Sequence, residues 1–180
     1  MIRRALAVAP PFLVVAVGVA LAKGPLPLQK SDFPPGAVSG PGAPSIVAGK
    51  GKDVSSTFNF RVGSREEEVT SDVVVWKTAA EAATGYRITL GAYTRLPNST
   101  ALRLPAYGDE QVAEFEKQPG MAQVIVHRGN IVWHVTVQDC GPLAPAGCLF
   151  GRTPPKLTLA QALGELRIYA ARQKARIGNG

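Results

Sequence analysis

Cysteine and histidine are scarce. Two of each among 180 residues cannot supply a four-ligand structural zinc site and leave few ways to build a catalytic metal centre. Charge is thin as well: charged residues make up 18% of the chain, against 46% hydrophobic, which argues against a wholly disordered protein. Neither a Gly-x-Ser-x-Gly elbow nor a phosphate-cradling glycine loop is present, so nucleophilic hydrolysis and nucleotide chemistry lack their usual signatures. What is plentiful is turn chemistry. Nineteen glycines and fifteen prolines are too many for a helical bundle and point to a mixed, turn-rich fold.

The N-terminus carries an address. Arg3 and Arg4 precede an apolar stretch from Phe12 to Leu21, and Ala20-Leu21-Ala22 places small residues at a cleavage position. Residues 1–22 therefore read as an export signal, cut before Lys23. The alternative is a retained anchor over residues 5–22, which hold no charge and approach spanning length. Pro10 and Pro11 break that helix near its start, leaving roughly eleven good apolar residues against the ~20 a span needs. Membrane contact follows only if the segment is retained. Removing Arg3 and Arg4 lowers the formal charge from +7 to +5. A mildly basic surface suits anionic lipid head groups, acidic wall polymers or nucleic acid, and an exported protein meets nucleic acid least.

Residues 23–52 are rich in Pro, Gly, Ala and Ser and read as a flexible or extended spacer, since few of them offset the entropy of ordering. An arm packed on the domain is the alternative, with Phe33, Ile46 and Val47 as anchors. Residues 53–180 then form a single α+β domain large enough for one core. Ser56 to Val62 alternates as a strand around Phe58, Phe60 and Val62, and Val73-Val74-Val75-Trp76 ends a second strand. Glu66-Glu67-Glu68 between them reads as a solvated strand entrance, because successive strand residues diverge and unpaired charge is seldom buried. Thr78 to Tyr86 is a short helix with a Thr78/Glu81 capping box, ended or distorted at Gly85. Leu96 to Thr100 reads as a loop carrying a glycosylation sequon at Asn98.

Two apolar runs, Met121 to Val126 and Ile131 to Val137, flank Gly129-Asn130, strong hairpin chemistry because both turn positions tolerate positive φ. The register sets Arg128 against Ile131 and His127 against Val132. One face then holds Val124, Val126, Trp133, Val135 and Val137 as core. The other holds Gln123, Ile125, His127, Val132, His134 and Thr136, a mixed surface open to water or covered by a ligand. An amphipathic terminal helix follows Pro154-Pro155, with Leu159, Ala162, Leu163, Leu166 and Ala170 at three- and four-residue intervals and a Thr158/Gln161 capping box. Arg172, Lys174 and Arg176 in its last turns match the helix dipole on a solvated face, which needs no partner; a patch for polyanions is the alternative reading of the same cations.

Cys140 and Cys148 close a nine-residue loop and, in an exported protein, read as a disulfide worth roughly 2.5 kcal/mol. His127 and His134 are diagonal neighbours, close enough to share a metal, but no third ligand stands on either strand of their face, so no metal site is expected. Asp109-Glu110 after Gly108 reads as a turn. No catalytic residue and no cofactor emerge from these patterns.

Gly108-Asp109-Glu110, followed by Val126-His127-Arg128-Gly129-Asn130-Ile131-Val132, resembles a pattern in small exported bacterial domains, among them wall-associated lipoproteins and extracellular sensor portions of actinobacterial kinases. The resemblance covers Asp72 to Gln138. It implies an α+β sandwich with an antiparallel sheet packed by helices and a concave face that binds ligands; no catalytic residue carries over. The expected protein is a non-catalytic binding or sensing module of the cell envelope, its partner a small molecule or an envelope polymer. Gln123, His127, His134 and Thr136, with Arg103, are the expected contact residues. The rivals are a hydrolase or metal-dependent enzyme built on the two histidines, and a structural envelope protein.

Overall fold

The computed structural model describes residues 26–40, 51–63, 65–93, 99–117, 120–140 and 157–178. In chain order they build β1 (Val38–Ser39), β2 (Lys52–Val62), β3 (Arg65–Val75), α1 (Ala79–Tyr93), β4 (Ser99–Ala101), β5 (Glu110–Glu116), β6 (Met121–Arg128), β7 (Ile131–Asp139) and α2 (Leu159–Gly178), with a 3-10 turn over Lys30–Asp32. The strands form one antiparallel sheet in the order β1-β2-β3-β7-β6-β5-β4. Two meanders thus join at the β3–β7 seam, and the two edges are strands of two and three residues, short enough to discourage pairing with other chains.

The fold is α+β, and alternation along each strand divides it into layers. Val69, Val73, Val124, Val126, Trp133, Val135 and Val137 point to one face, where Ala162, Leu166, Tyr169 and Ala170 of α2 cover them. Val74, Trp76, Ile125 and Val132 point to the other, where Ala82 and Tyr86 of α1 pack. The β6–β7 hairpin has the register read from its turn, with Arg128 opposite Ile131 and His127 opposite Val132, and Gly129 takes φ +57°.

Gly85 does not end α1, which runs on to Tyr93. A single glycine costs about 1 kcal/mol in a helix, less than burial of Ala82 and Tyr86 gains. Both capping boxes form: Glu81 N–H donates to Thr78 Oγ1 at 3.2 Å, and Gln161 N–H to Thr158 Oγ1 at 3.3 Å. Ser99 and Thr100, the end of the expected loop, belong with Ala101 to the edge strand β4.

Residues 26–40 are not a free spacer. Leu28, Phe33 and Ala37 are buried in the α2-side core, and Val38–Ser39 pairs with β2. Phe33 stacks on Phe58 at 4.5 Å and on Tyr169 at 5.2 Å between ring centroids. Polar contacts finish the attachment: Gln173 Nε2 donates to the Leu26 carbonyl at 2.9 Å, and Ser71 Oγ to Gln173 Oε1 at 2.6 Å. The composition argument fails here because prolines restrict the unfolded chain too, lowering the entropy lost when three apolar anchors dock. Of the anchors expected for a packed arm, Phe33 serves; Ile46 and Val47 lie outside the described residues, as do residues 1–25 and Asn98.

Candidate functional site

The polar face of the hairpin is a buried layer. Gln123, His127, His134 and Thr136 are all buried, so the mixed surface is covered. Strand order adds what the hairpin alone lacks: β3 sets Asp72 opposite His134, and β5 sets Glu114 opposite Gln123. His134 Nδ1 lies 3.4 Å from Asp72 Oδ2, while its Nε2 lies 2.7 Å from Thr136 Oγ1 and 3.2 Å from Gln123 Oε1. Gln123 Nε2 donates to Glu114 Oε1 at 2.5 Å. The row runs carboxylate, imidazole, amide, carboxylate across four strands. Beyond it, burial and the neighbouring Glu114 raise the Glu116 carboxyl above its ordinary range.

An acid, an imidazole and a hydroxyl in this order can relay a proton, with an N–H at Nδ1 held toward Asp72 and Nε2 facing the Thr136 hydroxyl. Asp72 is fully buried and His134 is 2% exposed, however, and neither cavity described below is lined by any of the three.

His127 belongs to a separate cluster. Its Nε2 is 2.9 Å from the Gly129 carbonyl, Tyr86 stacks on its ring at 5.7 Å, and Glu110 stands 3.7 Å from Nδ1. Burial, helped by the charge of Glu110, pushes the Tyr86 hydroxyl up to about 12. The two histidines therefore face different partners. Among the described residues no group of three His, Cys, Asp or Glu side chains is placed to hold a metal.

The Gly-Asp-Glu and Arg-Gly-Asn motifs meet at the hairpin tip and are stitched together. Asp109 N–H donates to the His127 carbonyl at 2.8 Å, and its carboxylate accepts from Gly129 N–H at 2.8 Å. Asn130 Nδ2 donates to the Trp76 carbonyl, and Trp76 N–H to the Asn130 carbonyl, at 3.0 and 2.9 Å. A Cβ on Gly108 would lie 2.4 Å from the His127 carbonyl oxygen, so only glycine permits this approach. These motifs fix the tip and its neighbours in place.

The triple glutamate departs from its solvated reading at one position. Glu66 and Glu68 are half-buried, but Glu67 turns to the α2 side and is fully buried. Arg65 Nη2 makes a hydrogen bond to Glu165 Oε1 at 2.9 Å and lies 2.5 Å from Glu67 Oε1. Burial first, then the hydrogen bond and charge of Glu165, push the Glu67 carboxyl up to about 8; Arg65 pulls the other way. Spacing along the chain shows Arg65 two residues away on the same face. It cannot show Glu165, which α2 brings from the far end.

Arg103 stands apart from the histidines. It is exposed, and its carbonyl accepts from Arg167 Nη2 of α2 at 3.3 Å, on the other side of the sheet. Nor do the terminal cations face only solvent: Arg176 pairs with Asp32 at 2.5 Å, and Arg172 donates to the Asp32 carbonyl, both tying the arm to α2. Cys140 is buried, and Cys148, its expected disulfide partner, lies outside the described residues.

A groove of about 1240 Å³ lies between the start of α1 and the paired ends of β2 and β3. Val54, Val73, Val75, Trp76 and Ile88 form its apolar lining, with Lys52, Lys77 and Glu81 among its polar residues. Val54 and Ile88 are 37% and 55% exposed, so two large aliphatic side chains are open to solvent on one concave surface.

No family model matches the chain, and no curated protein matches it. A similar solved structure is the extracellular domain of PknH from Mycobacterium tuberculosis: 13% identity and a TM-score of 0.43, over 75% of this chain and 69% of that one. No described helix is long and apolar enough to cross a membrane.

Proposed function

We propose that the chain is a non-catalytic binding or sensing module of the cell envelope, exported by residues 1–22, whose ligand site is the groove between α1 and the β2–β3 ends. The groove carries this reading: it is concave, mostly apolar and provided with a few polar groups, as small-molecule sites are. Its ligand is a small amphiphile, with an apolar body against Trp76, Val54 and Ile88 and an anionic end toward Lys52 and Lys77. Of the contact residues expected from sequence, Gln123, His127, His134 and Thr136 act from beneath, holding the sheet face on which α1 rests, and Arg103 lies on the other side of the sheet.

The test is displacement of a fluorescent naphthalene sulfonate from the full chain by dodecanoate. Saturable displacement, weakened at least tenfold by Val54→Asp or Ile88→Glu in variants with unchanged circular dichroism, supports the site. An absence of saturable binding, or equal binding by the variants, overturns it. The Asp72, His134 and Thr136 order favours one rival, a hydrolase; ester hydrolysis lost in both His134→Gln and Thr136→Val would establish that reading instead.

A further inference from the structure

On the α2 side, and independent of the groove, three cations from two elements surround a second cleft of about 580 Å³. Arg128 comes from the β6–β7 tip, Arg167 and Lys174 from α2, and Tyr107 and Pro105 complete the walls. Arg167 and Lys174 are two helical turns apart and so share a face. Ala171 and Ala175 also line the cleft, and their small side chains leave room between the cations.

No acidic residue lines the space. Three arginines elsewhere have carboxylates: Arg61 pairs with Glu66, Arg65 with Glu67 and Glu165, and Arg176 with Asp32. Among the described residues the cleft cations have none. Arg167 donates to the Arg103 carbonyl and Lys174 to the Ala106 carbonyl, and the Lys174 ammonium also stands 5.9 Å from the centroid of the Tyr107 ring. Arg128 extends to the end of α2, its Nη1 beside Gly178. The helix dipole accounts for a cation in the last turn. It accounts neither for Arg167, near the middle of α2, nor for Arg128 on another element.

We propose that this cleft binds a soluble phosphoryl anion carrying two or more charges. Two guanidinium forks match phosphoryl oxygens in pairs, and an ammonium group adds a third charge. A discrete ligand fits better than a lipid surface because the lining offers no large exposed apolar side chain to enter a bilayer.

The probe is tripolyphosphate, titrated into the full chain by calorimetry at low salt and again at 0.3 M salt. Binding is expected to be saturable, to weaken with salt, and to fall at least tenfold in Ala171→Glu, which sets a carboxylate in the cleft on an exposed helical position. Arg61→Glu changes the net charge more, at a residue outside the cleft, and is expected to alter affinity less than twofold. If Ala171→Glu does not fold, Arg128→Gln provides the reading, with a three- to tenfold loss expected. Absence of saturable binding, or equal losses in Arg61→Glu and the cleft variants, overturns the proposal. So does cleft-dependent binding to phosphatidylglycerol vesicles that tripolyphosphate fails to compete, which would assign the cleft to a lipid head group.

Discussion

Glu67→Gln tests the energetics of the buried carboxyl directly. In the folded chain Glu67 titrates near 8, against an ordinary value of 4.5, because burial and Glu165 disfavour its charge. The native state therefore holds this proton across a pH range in which the unfolded chain has released it. Stability from this group is full below pH 4.5, falls as pH rises, and is exhausted above about 8. Three and a half pH units at about 1.4 kcal/mol each set a ceiling near 5 kcal/mol, reduced by whatever Arg65 recovers as the carboxylate forms. Gln keeps the shape and an N–H donor for Glu165 but cannot titrate. Thermal melts of both proteins from pH 5 to 9 are the assay, and their difference cancels the titrations of groups that do not interact with Glu67. The wild type is expected to lose several degrees relative to the variant between pH 5 and 8.5, at roughly 3 to 5 °C per kcal/mol. A difference independent of pH, or a wild type gaining on Glu67→Gln as pH rises, would refute the reasoning.

Three further outcomes are expected. Phe33→Ala empties a stack shared with Phe58 and Tyr169 and should cost about 3 kcal/mol, read as a lower urea midpoint; a change below about 0.5 kcal/mol would mean the arm contributes nothing to the core. Asp109→Ala removes the acceptor of the Gly129 amide and should cost about 2 kcal/mol, with faster exchange of that one amide by NMR. Gly108→Ala should cost at least as much, since its Cβ meets the His127 carbonyl.

Local chemistry was readable wherever it decided the outcome alone. Gly129-Asn130 set a register, and period-two alternation on either side named five core residues that are all buried. Thr158 with Gln161 marked the start of α2. The polar layer was half readable: Gln123, His134 and Thr136 were placed on one face, but Asp72 and Glu114 reach it only because β3 and β5 flank the hairpin. Strand order is a tertiary property, and no residue near His134 encodes it. A lone Asp72 before a valine run was the available signal, since such a carboxylate needs a partner. Glu67 was missed for a related reason, its partner Glu165 lying 98 positions further on. The arm shows composition misleading from the other direction. Leu28 and Phe33 are sparse in a proline-rich stretch, yet sparse anchors suffice when the chain between them has little freedom to lose.

The β3–β7 seam has a consequence for how the molecule is made. Its pairs run from Val75 with Ile131 to Glu67 with Asp139, separations of 56 to 72 residues, so closing the seam is entropically slow. During synthesis the first meander emerges with one long flank of β3 bare, its amides and carbonyls available to any passing strand. Only when Ile131–Asp139 leaves the ribosome can that flank be sealed. The interval before then is when this chain is most exposed to misassembly, and when a chaperone would have most to protect.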